Sequence, residues 1–188
     1  MKLNLPTKLT VLRLILIPFC MISIIYSIFP GDIIWRIVAV LLFVITSFTD
    51  MLDGKIARKY NLVTDLGKFL DPLADKMLTT SALLIFMQQG IIDVLAVMII
   101  LIREFAVAGI RLAAVGEGEV IAASFFGKLK TVTQMIAIIV TIIIINISVI
   151  PQGVSVIISA ALIWISVLFT VLSGVDYLIK NWSLLKLK

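Results

Sequence analysis

The sequence predicts an all-α integral membrane protein, with six transmembrane helices and both termini in the cytosol. Three observations carry this expectation. The 188 residues are 62% hydrophobic and 14% charged, a balance that water-soluble domains rarely show. Six apolar stretches are long enough, or nearly so, to cross a hydrocarbon layer about 30 Å thick. The cations, finally, gather at one end of those stretches.

The stretches are residues 9–29, 33–48, 70–88, 91–115, 129–150 and 154–179. The first follows Lys2 and Lys8 as a signal peptide would, but it is too long and has no small-residue cleavage site, so a retained span is expected. Pro18 is expected to kink it. The second is short, and its helix is expected to continue through the segment that begins at Asp50. Pro30-Gly31, Gln89-Gly90 and Pro151-Gln152-Gly153 have turn composition and separate spans within each successive pair. The other two connections are longer and polar.

Lys2, Lys8 and Arg13 precede or open the first span. Lys55, Arg58, Lys59, Lys68 and Lys76 flank the connection between the second and third. Arg103, Arg111, Lys128 and Lys130 flank that between the fourth and fifth, and Lys180, Lys186 and Lys188 end the chain. Of 16 Lys and Arg, only Arg36 lies near the opposite side. The positive-inside rule assigns the cation-rich side to the cytosol of a multi-pass cell-membrane protein. The net charge of +5 speaks to topology and anionic headgroups before nucleic acid, and no nucleic-acid partner is expected. With no repeat, linker or second domain visible, residues 1–188 read as a single membrane domain. The lone Cys20 permits no internal disulfide and reads as lipid-facing or packing filler. Histidine is absent, which removes the commonest general base and transition-metal ligand. Acid–base and metal chemistry therefore rest on carboxylates.

The polar segment TDMLDGKIARKYNLVTDLGKFLDPLADK, residues 49–76, interrupts this apolar chain. At about 100° per residue, Asp50, Asp53, Gly54 and Ala57 share a helical stripe roughly 100° wide, with Arg58 at its edge. Gly67, Asp71 and Asp75 form a second stripe at four-residue spacing. Pro72 suits the first turn of the third span. Facing stripes would gather four carboxylates, and Gly54, Ala57 and Gly67 keep the surface small enough for close approach. A single aspartate here would read as a solvated residue paired with Lys55, Arg58 or Lys59. Four of them at helical spacing, with glycine and arginine at fixed offsets, do not. Asp65 breaks the pattern and reads as a loop residue or helix cap. Clustered carboxylates need cations to offset their repulsion. All-oxygen donors favour hard ions, Mg²⁺ with Mn²⁺ and Ca²⁺ as relatives, whose shells are completed by phosphates and water. A pair of ions about 3.5–4 Å apart would suit a diphosphate and in-line displacement.

The spacing D-x2-D-G-x2-A-R-x8-G-x3-D-x3-D resembles the signature of the CDP-alcohol phosphatidyltransferase family at every position, and the resemblance extends over essentially the whole chain. It implies a six-helix membrane enzyme, a homodimer, that uses divalent metal to displace CMP from a CDP-linked lipid with an alcohol. Carried over by position, Asp50, Asp53, Asp71 and Asp75 hold Mg²⁺ or Mn²⁺, in a pair, together with the substrate diphosphate. Asp75 is also the general base for the alcohol. Gly54, Ala57 and Gly67 border the CDP-lipid site and Arg58 supports it by charge. Leu5-Pro6-Thr7-x-Leu9-Thr10-x-x-Arg13 resembles the family's N-terminal segment, with Thr7 where asparagine is common, and this resemblance implies a short interfacial helix on the cytosolic side at the N-terminus.

A second cationic cluster remains. Arg103 lies deep in the fourth stretch beside Glu104, and a charge there needs a partner or a wet cavity. Arg111 follows eight residues later, about 80° around the helix. Lys128 and Lys130, in Gly127-Lys128-Leu129-Lys130-Thr131, read singly as snorkelling anchors. With the arginines they suit an anionic phosphate. The segments RE-x6-IR and GKLKT resemble the branch of the family whose acceptor is sn-glycerol 3-phosphate. The resemblance implies that Arg103, Arg111, Lys128 and Lys130 bind that phosphate, that Glu104 orients an arginine, and that CDP-diacylglycerol is the donor. Three other readings stand beside this one: the same chemistry with inositol phosphate, serine or phosphatidylglycerol as acceptor; more distantly, a cation carrier; and a catalytically inactive membrane scaffold, which the intact four-aspartate motif argues against. Trp35, Trp164 and Trp182 read as interfacial anchors or packing, and Asp176-Tyr177 as an interface anchor, with pairing to a cation as the alternative for Asp176.

Overall fold

A computed structural model describes residues 4–28, 33–59, 65–116, 124–145, 147 and 149–181, with side chains described outside residues 5–6, 33, 50–59, 65–69, 71–72, 113 and 115–116. Lys2, the Pro30-Gly31 turn, Trp182, Lys186 and Lys188 lie outside the described residues. Six helices and no strand make up the described chain: α1 (Leu5–Ile28), α2 (Ile33–Lys59), α3 (Asp65–Gln88), α4 (Val94–Gly116), α5 (Phe125–Ile144) and α6 (Gln152–Lys180). The all-α expectation holds.

α1 packs chiefly on α2 and also on α3. α6 packs on α5 and α4, and α2 against α5 joins the two groups. In α1, Thr10, Arg13, Ile17, Cys20, Ile24 and Ser27 recur three or four residues apart and are all buried, which defines the inner face. Cys20 is thus core filler rather than lipid-facing. The separate N-terminal interfacial helix expected from the sequence is instead the opening of α1, which is helical from Leu5 without a break and keeps Pro18 inside it. Thr7, Thr10 and Arg13 explain this: all three are buried, so the segment joins the bundle instead of lying on its surface.

α2 continues through the Asp50 segment, as expected, and runs to Lys59. Asp65, read as a loop residue or cap, is the first residue of α3. α3 stops where Gly90 takes φ of 70°; the Ile91 N–H donates to the Phe86 carbonyl at 2.9 Å and the Gly90 N–H to that of Met87 at 3.0 Å. This Schellman closure satisfies carbonyls that the helix end would otherwise orphan. Asp93 opens α4 by accepting the Ala96 N–H at 2.9 Å, and its other oxygen accepts the Trp164 indole N–H at 3.1 Å. Trp164 therefore ties α6 to the start of α4.

α5 begins earlier and ends earlier than the apolar stretch indicated. Ser124 caps it by accepting the Gly127 N–H at 3.1 Å. Pro151 disfavours helical backbone in the residue before it, and Ile147 and Ile150 close turns instead. The buried residues of α6 are Ser155, Ser159, Ile163, Ser166, Val167, Thr170, Ser173 and Tyr177, mostly small side chains of the kind that permits close helix packing. Several of these hydroxyls donate back to their own helix, as Thr170 does to the Ser166 carbonyl at 2.7 Å.

Hydroxyls inside and Leu12, Ile15, Phe19, Ile157 and Leu168 outside invert the pattern of a water-soluble bundle. By length and composition, Thr7–Ile28, Phe125–Ile144 and Gln152–Lys180 can each cross a membrane. In α4 the apolar run is broken by Arg103, Glu104 and Arg111, and in α2 it stops at Thr49, before the aspartates.

Candidate active site

Side chains of α3, α4 and α5 meet at Glu104, and α6 packs against Arg103 through Gly174, while α2 is in contact with α3 and α5. Asp50, Asp53, Gly54, Ala57 and Arg58 lie on α2, and Gly67, Asp71 and Asp75 on α3. For all but Asp75 the description ends at a helical backbone. α2 and α3 are in contact, so the two stripes belong to neighbouring helices. Asp75 is half-buried, and its carbonyl accepts the Thr79 hydroxyl at 3.2 Å. Four aspartates on two neighbouring helices offer a hard, all-oxygen donor set by residue type, the kind that suits Mg²⁺ or Mn²⁺.

Beside Asp75, Lys76 leaves α3 for α4. Its ammonium lies 3.6 Å from Glu104 Oε2 and donates to the Glu104 carbonyl at 3.4 Å. Glu104 also accepts from Arg103 Nη1 at 3.0 Å and from Lys130 of α5 through the same oxygen. One carboxylate thus gathers three cations from three helices. Lys130 is 6% exposed, so it needs this counterion. Arg103 thus has the partner that a charge deep in an apolar stretch needs, the half-buried Glu104.

Arg103 is also boxed in by two glycines. A Cβ at Gly174 of α6 would stand 3.1 Å from Arg103 Cγ, and one at Gly127 would stand 3.8 Å from its Nη2. Gly174 thus makes room for the arginine stem. Arg111, one helical face further along α4, is exposed; its Nε donates to the Tyr177 hydroxyl at 3.3 Å and its guanidinium carbon sits 5.6 Å from the ring centroid. Tyr177 is buried, not an interface anchor. Asp176, beside it, pairs with Lys180 at 2.6 Å. Lys128 is exposed, with no side-chain bond among the described residues.

The four cations expected to act together therefore divide. Arg103 and Lys130 are held inside by Glu104, whereas Arg111 and Lys128 are exposed. Lys76, Gly174 and Tyr177 were not legible as site residues. Lys76 counted only as a topology cation, and Gly174 and Tyr177 sit in the last apolar span with no local motif.

The family model described as CDP-alcohol phosphatidyltransferase matches residues 3–172. The chain belongs to the CDP-alcohol phosphatidyltransferase family. It is similar to the CDP-diacylglycerol–glycerol-3-phosphate 3-phosphatidyltransferase of Bacillus subtilis (strain 168), 42% identical and covering 97% of each chain. The protein of the same name from Rickettsia bellii (strain RML369-C) is 35% identical over 93% of each. A probable phosphatidylglycerophosphate synthase of Mycobacterium tuberculosis (strain H37Rv) is 37% identical over 93% of this chain and 79% of its own. Within this CDP-alcohol phosphatidyltransferase, residues 3–172 take in all four signature aspartates and the Glu104 network, and stop short of Gly174 and Tyr177.

Proposed function

We propose that this chain transfers the phosphatidyl group of CDP-diacylglycerol to sn-glycerol 3-phosphate, giving phosphatidylglycerol phosphate and CMP. The observation that carries the reading is end-to-end similarity to relatives named for that reaction, 97% of both chains in the Bacillus subtilis case. An intact four-aspartate signature and the cations gathered around Glu104, next in sequence to Asp75 through Lys76, agree with this.

Asp50, Asp53, Asp71 and Asp75 are the residues that would hold divalent cations, Mg²⁺ or Mn²⁺, two of them on this reading. Bound there, the ions offset the negative charge of the diphosphate and of departing CMP. Gly54, Ala57 and Gly67 leave room for the cytidine and diphosphate, and Arg58 adds positive charge at that edge. Asp75 takes the proton of the glycerol phosphate hydroxyl. The hydroxyl oxygen bonds to the lipid-side phosphorus as the bond from that phosphorus to the CMP oxygen breaks. Arg111 and Lys128 bind the acceptor phosphate directly, while Arg103 and Lys130 set the positive potential behind it, oriented by Glu104.

The arrangement is a single membrane domain of residues 1–188 whose six helices all cross the cell membrane. Both termini and the active site face the cytosol, and the chain works as a homodimer. The acyl tails stay in lipid while the headgroup enters from the side. Purified protein in detergent micelles, given CDP-diacylglycerol and Mg²⁺, should release CMP with glycerol 3-phosphate and not with inositol phosphate or serine. Release with another alcohol keeps the aspartate chemistry and replaces the acceptor. No release with any acceptor, from folded protein, overturns the reading.

A further inference from the structure

We infer that Tyr177 is a positioning residue for the acceptor phosphate: its buried hydroxyl takes the Nε–H of Arg111 and turns the guanidinium's outer edge toward the ligand. The inference rests on the proposed role of Arg111 and deepens it. Tyr177 lies beyond residues 3–172 matched by the family model, so nothing in that match assigns it a part.

The geometry is specific. The Tyr177 ring is 2% exposed and packs in a small apolar cluster with Val107 and Ile110 of α4. Those two residues lie one turn before, and immediately before, Arg111 on the same helix. Arg111 Nε donates to the phenol oxygen at 3.3 Å, and the guanidinium carbon stands 5.6 Å from the ring centroid. A buried aromatic ring has few conformations to choose from, so it is a firm base for a long flexible side chain. A guanidinium has five N–H donors in a planar fork. With Nε spent on Tyr177, the pair of terminal nitrogens on the opposite edge remains for a phosphate, in the bidentate geometry that arginine suits. Among the described residues those terminal nitrogens have no recorded partner, and Arg111 is exposed. The same turn of α6 carries Gly174, which leaves space for the Arg103 stem. One helix that contributes no signature residue thus shapes the setting of both arginines.

The test compares Tyr177→Phe, Arg111→Ala and the double variant in steady-state CMP release. Tyr177→Phe keeps the ring and its packing and removes one hydrogen bond, that from the Arg111 guanidinium, weakened by the exposure of Arg111. The expected result is a rise of about five-fold in KM for glycerol 3-phosphate, with kcat and the KM for CDP-diacylglycerol within about two-fold. Arg111→Ala should raise the same KM more, and Tyr177→Phe should add nothing on the Arg111→Ala background. An unchanged KM in Tyr177→Phe beside a raised one in Arg111→Ala would overturn the inference and leave the function standing. Equal effects of Tyr177→Phe in both backgrounds would overturn it too, since the tyrosine would then act through something else. An unchanged KM in Arg111→Ala removes Arg111 from the acceptor pocket, a failure of the underlying reading that is told apart by that single variant.

Discussion

Glu104 of α4 and Lys130 of α5 form an ion pair inside the bundle, and the same carboxylate holds Arg103 at 3.0 Å and Lys76 at 3.6 Å. Three helices are stitched by one acidic side chain. Its removal leaves cations buried without a counterion, and that is costlier than the pair was worth.

Glu104→Gln should therefore destabilise the protein by roughly 2–3 kcal/mol, below the cost of fully buried pairs because Glu104 keeps some exposure. Thermal unfolding in detergent measures this. An unchanged midpoint would mean that water already screens the three cations. The acceptor KM should rise as well, because Lys130 and Arg103 lose their orientation.

Gly174→Ala tests the space around Arg103. The added Cβ meets Arg103 Cγ at 3.1 Å, and Arg103 is anchored beyond that point by Glu104, so the stem yields poorly. A loss of about 1 kcal/mol and several-fold in activity is expected. Gly109→Ala is the contrast: nothing lies within 4 Å of the new Cβ, and a helical Gly→Ala change there should stabilise by about 0.5–1 kcal/mol. Equal effects at the two positions would remove the packing explanation.

The proposed chemistry makes Asp75→Asn nearly inactive, with CMP release down by about 10²-fold or more. Chelation with EDTA should stop the wild-type reaction, and added Mg²⁺ or Mn²⁺ should restore it. Near-normal turnover in Asp75→Asn would remove its assignment as base, and turnover that survives EDTA would count against metal at the aspartates.

Asp93→Ala addresses the far end of the bundle. It removes both the cap on α4, at 2.9 Å, and the Trp164 tie, at 3.1 Å. A cost of about 1–2 kcal/mol is expected, with kinetic constants unchanged because the site lies at the other end of α4. A large change in the acceptor KM would show that the two ends are coupled through that helix.

Much of the fold was legible because apolar length and turn chemistry are local properties. The stretch at residues 70–88 ends at the Gln89-Gly90 turn, and Gly90 does take the positive φ that ends α3. The missed boundaries have nonlocal or competing causes. Ser124 starts α5 ahead of its most apolar part, and the early segment of α1 belongs to the bundle because Thr7, Thr10 and Arg13 find buried surroundings. The aspartate signature was legible because helical periodicity alone places Asp50 with Asp53 and Asp71 with Asp75. The division of the cations was not.

By itself the sequence determined an all-helical chain with spans apolar enough for a membrane, and its place in a family through one stretch of spaced aspartates. Those properties depend on residue type and on spacing within a single helix. Only the tertiary structure decided that Lys76 and Lys130 meet at Glu104, that Gly174 makes room for Arg103, and that Tyr177 lies under Arg111. Each of these joins residues from different helices. Their distances are set by how small residues let the helices pack, and no periodicity within one helix records that.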